Sequence, residues 1–163
     1  MSGSDAHLDS PLLLACRGLA RAMDQFDDAA AAALGLGRSD LRALNLLEHG
    51  PLGASVLAQR LGLTRSAVTA LVDRLAGAGY VVRVAVPGDR RATAVELQPA
   101  TWSAFARVYR PLGEQVWAAT NELTVAERQA VVDAMTVMTG AFDHVRARIA
   151  PAAPAAPDAP AGH

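Results

Sequence analysis

The sequence predicts a mainly α-helical fold that carries one small β-hairpin. Three observations predict it. Alanine fills thirty-six of 163 positions while aromatic residues make up only 4%, a composition that packs helices rather than sandwiched sheets. Apolar residues recur at spacings near 3.6 through most of the chain, the period of an amphipathic helix. Only between Tyr80 and Leu97 does the pattern change to β-branched runs and alternation. With 52% hydrophobic and 19% charged residues, the chain can bury the core of one domain.

The elements follow in order. Ser10-Pro11 starts a helix, an N-cap hydroxyl with proline at the first helical position. Leu12, Leu19, Met23, Phe26, Ala30 and Ala33 then share a face to about Leu34, where Gly35-Leu36-Gly37 ends the run. Ser39-Asp40 opens a shorter second helix, with Leu41, Leu44 and Leu47 apolar, stopped by Gly50-Pro51. A third helix, about Ala54 to Leu61, is closed by Gly62. Thr64 caps a fourth, which continues through Val68, Leu71, Val72 and Leu75 to Gly77 and Gly79. Residues 81–86 are a β-branched run. Pro87-Gly88-Asp89 turns the chain, and Thr93, Val95 and Leu97 alternate with Ala94 and Glu96 to complete a hairpin.

Two long helices close the chain. The fifth places Trp102, Phe105, Tyr109, Leu112, Val116, Ala119 and Leu123 at a 3-4 spacing, with Trp102 expected in the core. Pro111 lies inside it and is expected to kink it. The sixth opens with Thr124-Val125-Ala126-Glu127, a capping box. It then places Val131, Met135, Met138, Phe142, Val145 and Ile149 on one stripe. These stripes, with that of the first helix, exceed what one small module can cover, so dimerisation is expected. Residues 10–37 and 99–149 are read as a helical dimerisation region around a module at 38–98. The tails, residues 1–9 and the Pro/Ala-rich 150–163, are expected to be disordered.

Charge localises the function. All fifteen basic residues are arginine, a planar bidentate donor. Residues 51–98 carry a net +3 and the rest a net −4, as expected of a lobe that meets a polyanion. Several classes are excluded or disfavoured. The longest apolar run, Ala29 to Leu34, is far short of the roughly 20 residues of a membrane span. The N-terminus has no signal-peptide pattern, and a soluble cytoplasmic protein is expected. Cys16 is the lone cysteine, so neither an intrachain disulfide nor a Cys-rich zinc site is available. His7, His49, His144 and His163 have no metal spacing. No nucleophile elbow, phosphate loop or paired-His motif supports catalysis, so no enzyme activity, cofactor or metal is expected.

The third and fourth helices make a helix-turn-helix, and the hairpin after them a wing. Thr64, Arg65, Ser66, Thr69 and Arg74 remain outside once the apolar side of the fourth helix is buried. Hydroxyls at a helix N-terminus suit phosphates, and Arg65 or Thr69 suits base edges in a major groove. Arg90 and Arg91 stand at the wing tip, within reach of a minor groove, and Asp89 is placed to orient an arginine. Arg74 also has a structural alternative, a pair with an acid. Arg83 braces the wing or touches phosphate, and Arg60 is either solvated or on the DNA backbone.

The run Leu57-Ala-Gln-Arg-Leu-Gly-Leu-Thr-Arg-Ser-Ala-Val-Thr-Ala-Leu-Val-Asp-Arg-Leu75, then Gly79-Tyr-Val-Val-Arg83, then Asp89-Arg-Arg91, resembles the MarR family of winged-helix transcriptional regulators. The resemblance implies a winged helix-turn-helix flanked by long dimerisation helices. It also implies a homodimer whose first and last helices interlock, reading a palindromic operator on double-stranded DNA. Asp89 and Arg91 match its wing-tip pair, and Thr64, Arg65, Ser66, Thr69 and Arg74 its DNA-facing positions. The chain departs from the family after the wing. Gln98-Pro99-Ala100-Thr101 follows Leu97 where Leu-Thr is usual, so Pro99 or Thr101 starts the fifth helix.

A repressor released by a small effector is the function implied. The family's ligands are often small anionic aromatics held between dimer helices and reader. Arg17 is a candidate carboxylate clamp, or pairs with Asp24, Asp27 or a partner-chain acid; Asn45 and His49 face the same region. Cys16 lies near the position of the family's peroxide-sensing cysteine, but reads first as a small buried hydrophobe, with a redox-controlled repressor as the alternative. A winged-helix protein-interaction module without DNA binding is the rival class, and arginine at 65, 74, 90 and 91 argues against it.

Overall fold

The computed structural model describes residues 10–86 and 88–149. The tails expected to be disordered therefore lie outside the described residues. The order is α1 (Pro11–Leu34), α2 (Arg38–Leu47), β1 (Leu52–Gly53), α3 (Ala54–Leu61), α4 (Arg65–Gly77), β2 (Val81–Val86), β3 (Asp89–Leu97), α5 (Pro99–Thr120) and α6 (Val125–Ile149). The three strands form one antiparallel sheet in the order β1-β3-β2. This is a mainly helical winged helix-turn-helix fold. No described helix is long and apolar enough to cross a membrane.

Two compact units divide the chain, one ending at Gly113 and the other beginning at Glu114. The first holds the core. Leu41 and Leu44 from α2, Leu57 and Leu61 from α3, and Val68, Leu71, Val72 and Leu75 from α4 are all buried there, with Val81, Val95 and Leu97 of the sheet and Phe105 of α5. Only the end of α1 joins them, through Ala30 and Ala31 with Phe26 and Leu34 beside. Earlier in α1, Leu12, Leu19 and Met23 stay exposed. Gly35 ends α1 in the left-handed conformation, φ 68°, with its N–H returned to the carbonyls of Ala31 and Ala32.

Hydrogen bonds stitch the sheet to the helices around it. The Tyr80 hydroxyl donates to the Leu34 carbonyl at 2.7 Å, tying the wing base to the end of α1. Thr101 is buried, and its hydroxyl donates to the Tyr80 carbonyl at 2.6 Å, which also receives the Gln98 N–H at 2.9 Å. Pro99 starts α5, the first of the two starts expected, while Thr101 secures that helix to the wing base.

Four expectations need correction. Ser10 makes no side-chain cap, and α1 relies on Pro11 alone at its start. The second helix begins at Arg38 rather than Ser39, because extended Gly37 serves as N-cap and Asp40 accepts its N–H at 3.3 Å. Trp102 is exposed, since only Thr101, Ala104 and Phe105 of α5 face the core. Leu123 falls outside α5, which ends at Thr120. There Arg128 donates to the carbonyls of Thr120 (3.1 Å), Asn121 (3.4 Å) and Leu123 (2.5 Å), closing the turn before α6. Pro111 lies inside α5.

In the second unit no residue of α6 is buried. Val131, Met135, Phe142, Val145 and Ile149 keep their stripe in the open. The start of α6 is nonetheless firmly closed. Glu127 accepts the Thr124 N–H and hydroxyl, each at 2.8 Å, and the Glu127 N–H returns to the Thr124 hydroxyl at 3.3 Å. These bonds favour the charged carboxylate and lower its pKa from 4.5. A depressed folded-state pKa contributes stability above the unfolded value and loses it as pH falls through the folded one. A carbon-13 titration of Glu127 is therefore expected to show a midpoint below 4.5 that returns toward 4.5 in Thr124→Val.

Candidate nucleic-acid interface

The reading surface is built from the α3–α4 turn upward. Gly62 takes φ 68°, which only glycine adopts at little cost, and sends its N–H back to Ala58 and Gln59. Leu63 N–H also returns to the Ala58 carbonyl at 3.0 Å. Thr64 then leaves the turn in an extended conformation and accepts the Ala67 N–H on its side-chain oxygen at 3.2 Å. That bond fills one orphan donor of α4 and fixes where the helix starts.

The helical period decides which residues of α4 face outward. Val68, Leu71, Val72 and Leu75 are each no more than 2% exposed. Thr64, Arg65, Ser66 and Thr69 are exposed. The Thr64 and Ser66 hydroxyls lie 3.1 Å apart. Thr69 donates its hydroxyl proton to the Arg65 carbonyl at 3.0 Å, which leaves that oxygen as an acceptor. The end of α4 thus offers hydroxyls, a guanidinium and unpaired backbone N–H groups, the set that suits a polyanion.

Arg74 has an intramolecular partner. Its Nε and Nη2 meet Asp40 Oδ2 and Oδ1 at 3.2 and 2.5 Å, a bidentate pair, and the hydrogen bond to Asp40 raises the arginine pKa above its ordinary value. Asp73, its chain neighbour, pairs instead with Arg83 of β2 at 2.6 Å. Arg83 is therefore a brace between wing and α4.

In the wing, β2 and β3 pair from Val81↔Leu97 to Ala85↔Thr93, and the register then slips to Val86↔Asp89. Gly88 turns the tip with φ 87°. The backbone of Asp89, Arg90 and Arg91 belongs to β3, while their side chains lie outside the described residues. The residue alternation expected for the hairpin is broken at Ala94, buried beside Val95. Strand β1, which the sequence did not announce, covers that edge through Leu52↔Val95 and Gly53↔Ala94.

A second feature lies on α2 and α3. Arg42, Asn45, Leu46, His49 and Arg60 line a depression of 370 Å³. Asn45 accepts the Tyr109 hydroxyl at 3.4 Å, and Tyr109 stacks edge-on with Phe26 and Phe105 at 5.3 and 5.6 Å. Burial raises the Tyr109 pKa, opposed by Asn45 and aided by Asp27 and Glu48. Asn45 and His49 both line this depression. Arg17 is not among the lining residues, and it is exposed. Cys16, beside it, is half-buried. Among the described residues no group of three His, Cys, Asp or Glu side chains is placed to hold a metal.

The MarR family profile matches residues 34–92. YcgE, a helix-turn-helix-type transcriptional regulator of Bacillus subtilis, is 40% identical over 107 residues, covering 65% of this chain and 70% of that protein. The chain belongs to the MarR family. It is a transcriptional regulator with a DNA-binding fold rather than an enzyme. A MarR family protein from Bacillus stearothermophilus shares the fold with TM-score 0.66 at 20% identity, over 84% of this chain and 96% of that one. A mutant of S. aureus MepR, bound to an oligodeoxyribonucleotide, does so with TM-score 0.54 at 17% identity, over 79% and 96%.

For this MarR-family chain, sequence reasoning missed Asp40, Arg42 and the Asp73–Arg83 pair. An acid three residues after a glycine is a helix-start signal, which marks Asp40, but nothing in the sequence joins it to a residue thirty-four positions on. The cap is directly testable. Thr64→Ala removes the bond to Ala67 and is expected to cost about 1 kcal/mol, a fall of roughly 2–4 °C in thermal midpoint.

Proposed function

We propose that the protein is a homodimeric repressor that binds a palindromic operator and is released by a small anionic effector. The observation that carries the DNA-binding part is α4, whose apolar side is wholly buried while Thr64, Arg65, Ser66 and Thr69 stand exposed at its start. Arg65 and Thr69 would read base edges, the Thr64–Ser66 hydroxyl pair would give its remaining proton to a phosphate, and Arg90 and Arg91 would enter the neighbouring minor groove, Arg91 oriented by Asp89. The MepR relative bound to an oligodeoxyribonucleotide supports the same use of this fold.

Dimerisation rests on the uncovered apolar faces. Leu12, Leu19 and Met23 of α1 and Val131, Met135, Phe142 and Val145 of α6 are exposed at helical spacing, and a second copy is the symmetric way to cover them. Two reading helices about 34 Å apart would then meet successive major grooves. An effector acts by favouring a dimer of the wrong spacing, and only to the extent that it binds that state more tightly.

The effector site best supported is the depression of Arg42, Asn45, His49 and Arg60. Two arginines with Asn45, Leu46 and the His49 ring suit a small ligand that carries a carboxylate. Arg17 does not line it.

Selection of bound sequences from random duplexes is expected to yield a two-fold symmetric motif. On that duplex Arg91→Ala should lower the slope of log affinity against log salt by about one unit. Arg65→Ala should relax sequence preference by about 1–3 kcal/mol. An asymmetric motif or no bound sequence refutes the reading. With benzoate as probe, Arg42→Ala is expected to abolish release of the duplex while DNA affinity without benzoate stays unchanged.

A further inference from the structure

The pair between Asp40 and Arg74 is the most constrained polar contact in the reading unit. Asp40 is only 5% exposed, the one buried acid among the described residues. It accepts three hydrogen bonds: Gly37 N–H at 3.3 Å, Arg74 Nε at 3.2 Å and Arg74 Nη2 at 2.5 Å. The first fixes the carboxylate to the start of α2, where the helix dipole favours a negative charge. Gly37 lies two residues beyond Gly35, the cap of α1. One carboxylate therefore joins the α1–α2 corner to the last turn of α4.

The hydrophobic seat of α4 cannot supply what this pair supplies. Apolar contacts are non-directional, so burial of Val68, Leu71, Val72 and Leu75 chooses a side of the helix but holds its rotation loosely. A bidentate guanidinium–carboxylate pair is planar and directional. Side chains reach about 5–6 Å from a helix axis, so a 10° rotation moves an outward tip by about 1 Å. Base recognition tolerates about 0.5 Å. A rotational lock is thus needed, and Arg74 is placed for one, nine residues from Arg65 at the other end of α4.

We propose that Asp40 is a positioning residue for base recognition: acting through Arg74, it sets the rotation of α4 and so which base edges Arg65 meets. This rests on the DNA-binding reading above and adds that Arg74, though 58% exposed, serves specificity rather than phosphate binding.

The test uses the full chain, the duplex that the wild type selects, and a scrambled duplex of the same length. Affinity for both is measured across salt, with thermal melting alongside. Arg74→Gln, Arg74→Lys and Asp40→Asn are each expected to lose at least tenfold of the preference for the selected duplex, with the salt slope unchanged. The double variant Asp40→Asn with Arg74→Gln should lose no more than either single. Arg74→Lys is decisive, because it keeps the charge and loses the fork. If Arg74→Lys keeps full preference, or Arg74→Gln weakens both duplexes equally and lowers the slope by about one, Arg74 is a phosphate ligand and the proposal fails. Unchanged preference in all variants, with only the melting temperature lowered, also overturns it, since a purely structural pair behaves so. Should Asp40→Asn not fold, the two Arg74 variants decide alone, their site being half in solvent. A wild type that binds no duplex overturns the DNA-binding reading itself, and this inference with it.

Discussion

The seating of α4 governs everything else in the reading unit. Val68, Leu71, Val72 and Leu75 enter a core shared with Leu41, Leu44, Leu57 and Leu61, and each fully buried aliphatic side chain contributes about 1.5–3 kcal/mol. With 3.6 residues per turn, burying those four leaves Ser66, Thr69 and Asp73 no option but solvent. The polar face of α4 is therefore a consequence of packing. Arg83, Asp40 and the Thr64 cap then refine a placement that the apolar residues have already chosen.

The elements that were legible in the sequence are those made by local chemistry. Gly35, Gly62 and Thr64 carry their instructions within one helical turn, and each does in the structure what its type implies. The Thr124–Glu127 box is the same case. Strand β1 was not legible, because Leu52-Gly53 has no strand pattern and pairs only by borrowing the edge at Val95 and Ala94. Trp102 shows a different limit. Helical spacing gives the width of an apolar stripe but not how much of it is met, and here the core reaches Phe105 and stops short of Trp102.

Candidate site residues divide along the same line. Exposure of Thr64, Arg65, Ser66 and Thr69 followed from periodicity alone. The partners of arginines did not, since Arg74 passes over Asp73 beside it to reach Asp40, and Asp73 takes Arg83. Both choices depend on how α2 and β2 lie against α4, a tertiary fact. Arg42 and Arg60 became a pair only once α2 and α3 were packed.

The joint between wing and α5 has a mechanical meaning. Tyr80 holds both Gln98 and Thr101 through its carbonyl, and Gln98 alone separates β3 from α5. Hinges form where a few loop residues can absorb dihedral change, and a connection of one residue, bonded on both sides, has no slack to absorb any. Torque applied along the first turns of α5 must pass into the strands as twist, making this junction a stiff coupling rather than a flexible elbow.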